Sequence, residues 1–191
     1  MLTDNGWATL LAAKRGYDTT TSPFYDEVLR EVSSRIAASG SAGKLDIGAL
    51  TFWKRIRADT PSTASLNTIS DADVRAITAV AVATVNDLSL DTAEAAGRAR
   101  GQLQDLPGYR RGDAVASALL TAAAPARLGV FDQRAVRALG LLGLPVNSRR
   151  GQYRRYITTL VGLVDLAGSH GLTWTVRDVD TAPFHLGAPQ R

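Results

Sequence analysis

The sequence contains no cysteine. A disulfide framework, a thiolate zinc site and a cysteine-ligated iron–sulfur cluster are therefore excluded, and the composition suits a reducing compartment. Histidine is nearly as scarce. His170 and His185 are isolated from each other and from any second ligand at metal-binding spacing, so both are read as structural. Lysine is limited to Lys14, Lys44 and Lys54, which leaves arginine to carry the positive charge. No apolar run is long enough to cross a bilayer. The opening segment, MLTDNGWATLLAAKRG, places its acidic residue ahead of a short apolar stretch, the reverse of a secretory signal, so a cytoplasmic protein is expected. There is no GxxxxGKS, no GxGxxG after a strand, no GxSxG and no HExxH. Kinase, dehydrogenase, serine-hydrolase and zinc-protease readings thus have no support.

Hydrophobic residues fill 45% of the 191 positions and charged residues 21%. That is apolar surface enough for one folded domain over 1–191 and too little charge for global disorder. The net charge of +4 is unevenly spread. Residues 1–90 carry nine basic against ten acidic side chains, whereas between Arg98 and Arg155 eleven arginines face only Asp105, Asp113 and Asp132, a local charge of +8. A guanidinium offers phosphate two parallel N–H donors, so such a stretch is the footprint of a polyanion binder. The alternative is a solvated surface rich in arginine.

Turn and cap signals divide the chain into short helices. Ser22 and Pro23 read as the cap and first position of a helix running through FYDEVLREVSSRIAA to Gly40. LDIGALTFWKRIRA reads as a helix with Leu45, Gly48, Ala49, Phe52 and Ile56 on one apolar face. DTPSTASLNTIS reads as a loop. Ser70 with Asp73 resembles a capping box opening DADVRAITAVAVATVND, and Asp91 caps TAEAAGRARGQLQD. After the turn LPGYRRG come an apolar helix, DAVASALLTAAA, and a helix begun at Asp132, QRAVRALGLLG. SRRGQYRRYITTLVGLVDLAGSHG is the longest helical pattern. The tail supports at most a short helical turn before Pro183. Nothing sustains a period of two, so the predicted fold class is all-α.

The segment from Leu106 to Gly140 carries the chemistry. Pro107 and Gly108 turn the chain between two helices, and the second helix begins with free N–H groups beside Arg110 and Arg111. A helix N-terminus flanked by arginine suits a phosphate. Further on, Leu128-Gly129-Val130-Phe131 leads to Asp132 at the head of another helix, where the dipole favours the carboxylate anion.

Leu106-Pro107-Gly108 followed by the small-residue helix Ala114, Ala116, Ser117, Ala118 and Leu119 resembles the hairpin of the helix-hairpin-helix DNA glycosylase superfamily. Val130 to Arg137 resembles its second signature, an apolar residue, an aspartate and an arginine-bearing helix. The likeness is nearest to bacterial proteins of the 8-oxoguanine glycosylase fold, which share a Trp-Lys-Arg element, here Trp53-Lys54-Arg55, and a C-terminal element echoed by Val179 to Phe184. The resemblance implies a two-lobed helical fold with residues 98–155 as the helix-hairpin-helix and catalytic-aspartate region, and double-stranded DNA as partner. It implies that Leu106 to Gly112, including Gly108, Tyr109, Arg110 and Arg111, hold a DNA phosphate, with a monovalent cation on the hairpin carbonyls and no other cofactor. It also implies that Asp132 stabilises the cationic sugar as a flipped base leaves. Three departures stand out. Arg110 replaces a usual glycine. Gly112 stands where strand-cleaving members place lysine, so the implied enzyme is monofunctional. Gln133 and Arg134 replace a common histidine. Asp132 as a plain helix cap, in a binding module without catalysis, is the alternative.

Weaker signals complete the candidate interface. Arg134 follows the aspartate. Arg150 and Arg154 stand four apart with Tyr153 beside them, a pattern for phosphate contact with aromatic stacking. Tyr109, at the hairpin tip, is a candidate wedge. Trp53 reads as core.

Overall fold

Ten α-helices and no strand are present among residues 2–57, 60–110 and 112–188, those which the computed structural model describes. The helices are α1 (Asp4–Thr20), α2 (Glu27–Ser39), α3 (Lys44–Trp53), α4 (Pro61–Leu66), α5 (Asp71–Asn86), α6 (Thr92–Gln102), α7 (Ala114–Ala123), α8 (Gln133–Leu141), α9 (Gln152–Ser169) and α10 (Val176–Leu186). A 3-10 turn, Leu103–Asp105, prolongs α6. None of the described helices is long and apolar enough to cross a membrane.

Short polar side chains set many of the starts. Ser70 accepts the Asp73 N–H and Asp73 returns the bond, the capping box read from the sequence, and Asp91 accepts from Ala93 and Glu94. Thr175 and Asp178 form a second box that opens α10. This helix runs through Pro183, against expectation. The proline lies near its C-terminal end, where it interrupts little of the ladder, and the box together with buried Val179 and Ala182 secures the preceding turns. α2 starts later than expected, because Ser22 to Tyr25 close a tight turn in which the Tyr25 N–H reaches the Ser22 carbonyl at 2.9 Å. α4 lies inside the segment expected to be a loop.

The expected apolar face of α3 is turned outward: Leu45 is 82% exposed and Phe52 75%. The buried face is Asp46, Ile47, Leu50, Thr51 and Trp53. A carboxylate can sit there because Asp46 is fully engaged, by Arg35 at 2.8 Å and by the Gly43 N–H at 2.8 Å.

α7 is the hub. It packs against α2, α3, α5 and α6, and from α6 the packing continues to α9, then α10, which also carries α8 and α1. The buried apolar residues form one continuous cluster from Leu10 to Ala182. This order brings the end of α6, the turn before α7 and the start of α9 to one side.

Candidate nucleic-acid interface

After the 3-10 turn the chain reverses through Leu106 to Gly112. The Leu106 N–H donates to Leu103, and its carbonyl accepts from Tyr109 at 3.0 Å. Gly108 and Gly112 have φ of 84° and 79°, left-handed values that a side chain would strain. Leu106 is 1% exposed, so it anchors the turn from below. Tyr109 is 3% exposed, which overturns its expected role as a wedge at the tip: the ring lies in the core, where burial pushes its phenol above the usual range. Arg110 is exposed, and Arg111 lies outside the described residues. The Gly112 carbonyl accepts from Arg100 Nη2 at 3.0 Å, so a guanidinium already occupies one of the oxygens expected to offer a cation site.

At the N-terminus of α7, where a phosphate was expected, no side chain caps the helix. Asp113 stands at its cap position without capping it. Its carboxylate turns aside, one oxygen accepting from Arg100 Nε at 2.5 Å and the other from Gln152 Nε2 at 2.7 Å. That triangle ties α6, the turn and the start of α9 together.

Above the triangle opens a cleft of about 660 Å³ whose wall includes Arg100, Arg110, Arg149, Arg150 and Arg154, with Asp113 the one carboxylate among its described lining residues. α9 approaches closely at Gly97 of α6, where an added Cβ would lie 3.2 Å from the Arg154 Cβ. The arginines of the basic segment divide by what they hold. Arg127 donates to the carbonyls of Val85, Asp87 and Leu90, and Arg155 to those of Asn147, Arg149 and Arg150. Arg98 and Arg154 share Glu94. Among the described residues Arg110, Arg149 and Arg150 have no acidic partner, and all three lie on the cleft.

The expected pairing of arginines with stacking tyrosines does not occur. α9 begins at Gln152, so Arg150 belongs to the approaching loop rather than to one helical face with Arg154. Tyr153 and Tyr156 are buried. They hold the segment before Asp132: Tyr153 Oη donates to the Gly129 carbonyl at 3.1 Å, and Tyr156 Oη donates to Asp180. Asp180 in turn accepts the Val130 N–H at 2.9 Å and Arg177 Nη1 at 2.7 Å, while Ser117 Oγ accepts the Phe131 N–H at 2.9 Å. Burial, and then the Asp180 charge, raise the Tyr156 phenol well above its ordinary range, so it stays a donor.

At the end of this pinned segment Asp132 caps α8, accepting the Arg134 N–H at 2.8 Å. Its other oxygen accepts from Lys54 Nζ at 2.6 Å. Burial works to raise this carboxyl, but the bond and charge of Lys54, aided by Arg134, outweigh it and hold the group below the usual range. The carboxylate is therefore an anion, 15% exposed. Arg134 is not on the arginine cleft: its guanidinium lies 4.2 Å from the Phe184 ring centre. Trp53 is core, as expected, donating through Nε1 to the Tyr25 carbonyl at 3.0 Å.

Sequence reading missed Arg100, Asp113 and Gln152 as one unit, and Lys54 as the partner of Asp132. Each link crosses a turn or a tertiary contact, and no local spacing signals it.

No protein-family model, curated protein or solved structure matches the chain.

Proposed function

We propose that the protein binds double-stranded DNA, holding the phosphate backbone on the arginine cleft formed by the end of α6, the turn before α7 and the approach to α9. The turn between α6 and α7 serves as the helix-hairpin-helix of a two-lobed, glycosylase-like fold. One observation carries the reading: five arginines with a single carboxylate line one cleft, three of them with no acidic partner among the described residues. Arginines left without carboxylates on one cleft suit phosphate contact that is blind to sequence. The test is duplex affinity against salt. Displaced counterions should weaken binding on the order of 10²–10³ between about 50 and 200 mM salt. Affinity independent of salt, or no binding at low salt, overturns the proposal.

A second reading, removal of a base by Asp132, is favoured by one feature. The residue is a fixed, ionised carboxylate at a helix head, on a segment pinned by Tyr153, Asp180 and Ser117. Against it, both carboxylate oxygens are engaged, so a sugar cation must displace Lys54 to reach the charge. Asp132→Asn separates the readings. If the aspartate is catalytic, base release revealed by alkali falls on the order of 10²–10³ while duplex binding survives. If no oxidised, alkylated, deaminated or mismatched duplex loses a base to the wild type, the protein binds DNA without excising from these substrates, and Asp132 is a cap.

A further inference from the structure

We infer that the N-terminus of α9, together with Arg100, is a seat for a single phosphate group, with the DNA-binding reading naming its natural source as a backbone phosphate. α9 is the longest helix, 18 residues, and no side chain caps it. Gly151 precedes it at φ 82°, so the cap position carries no side chain and no oxygen of its own to offer. The first N–H of the helix to find a carbonyl is that of Arg155, bonded to Gly151 at 3.2 Å. The three N–H groups before it stand at the positive end of the helix dipole, on the wall of the arginine cleft.

An independent observation points to the same place. Arg100 forms part of that wall and is 8% exposed. Its Nε and Nη2 are spent on Asp113 and on the Gly112 carbonyl, yet its Nη1 has no hydrogen-bond partner. Buried donors of a charged group are rarely left unmatched. A phosphate oxygen is an acceptor matching both the guanidinium and the helix terminus in charge. Asp113, the carboxylate nearest this seat, has both oxygens engaged, by Arg100 and by Gln152, so its charge is already turned to holding the first residue of α9 in place. Arg149 and Arg150, just before the helix, add unpaired positive charge at the entrance. α7 also begins without a side-chain cap, but Asp113 places a negative charge at its cap position, whereas the cap position of α9 is a glycine.

The experiment is an amide-resolved NMR titration of the whole chain with inorganic phosphate, with chloride at equal ionic strength as control. Saturable shifts at Gln152, Tyr153 and Arg154 that chloride does not reproduce are expected. Equal shifts with chloride, or larger shifts at another helix start, overturn the inference. Arg100→Lys keeps a charge beside Asp113 but loses the forked Nη pair, and should weaken phosphate at least several-fold. Arg137→Ala, at an exposed position of α8 away from the cleft, should leave it unchanged. Should Arg100→Lys not fold, the wild-type titration decides alone. A short duplex distinguishes the source. If it moves the same amides and phosphate competes with it, the ligand is the DNA backbone. If phosphate binds but duplex does not, the seat stands for a small phosphorylated ligand and the DNA-binding reading falls. If duplex binds while these amides stay still, DNA binding stands and the seat is wrong.

Discussion

Asp132 and Lys54 stand 78 positions apart in the sequence and 2.6 Å apart in the fold. Their pairing decides the charge at this corner, and its sign can be tested. With Lys54 present the folded-state carboxyl lies below its unfolded value, so the pair contributes stability above the unfolded pKa, roughly 3.9. That contribution is lost as pH falls through the folded value. Lys54→Met removes the group that outweighs burial. The carboxyl should then rise above the ordinary range, and in the variant stability should fall as pH increases from about 4. Loss of the partner should cost about 1–3 kcal/mol at neutral pH. Urea unfolding at pH values from about 3.5 to 7 reads both effects, and parallel pH profiles for variant and wild type would show that the pair is not coupled. The cap role of Asp132 was legible from its place before an amphipathic helix. Lys54 was not, because nothing near it in the sequence marks the tertiary contact.

At the scale of the element, caps read well and faces read less well. Ser70, Asp91 and Asp132 act within three residues of themselves, so their bonds follow from local spacing. The face of α3 does not. Leu45, Gly48, Ala49 and Phe52 make the more apolar stripe, but the other stripe wins because Arg35 and the Gly43 N–H neutralise Asp46. Paired substitutions test this inversion. Leu50→Ala, at a position 0% exposed, should cost about 2–5 kcal/mol. Phe52→Ser should stay within about 0.5 kcal/mol of wild type. Chemical denaturation of both variants gives the answer, and comparable losses would mean that Phe52 is covered in solution. The tyrosines of α9 misled for a related reason. Alternating arginine and tyrosine suggested one mixed surface, whereas helical geometry sends Tyr153 and Tyr156 inward and leaves Arg154 outside.

Across the whole molecule, the charge asymmetry seen along the sequence becomes an asymmetry in space. The all-α class and the basic segment were legible from composition and periodicity. What could not be read was which arginines would be spent on the protein's own carbonyls, as Arg127 and Arg155 are, and which would stand on the cleft with no acidic partner among the described residues, as Arg149 and Arg150 do. The distinction predicts unequal effects. Replacing Arg149 and Arg150 together by alanine should weaken binding to all duplex sequences alike and lower the salt slope by about 1–2. Arg15→Ala, on the N-terminal helix away from the cleft, should leave both unchanged. Fluorescence anisotropy at several salt concentrations separates the two, and an equal loss from Arg15→Ala would mean that net charge alone, not the cleft, governs affinity.

The contact between α1 and α10 sets a timetable for synthesis. α1 packs along α10, with Gly16 against His185, Tyr17 edge-on to Phe184, and Trp7 stacked on His170 just before that helix. α1 leaves the ribosome before α10, whose synthesis starts only at residue 176, so Leu10, 0% exposed in the finished fold, emerges with α10 still unwritten. The contact therefore cannot form until α10 has been made. Until α10 is made, the nascent chain carries the apolar side of α1 open to water.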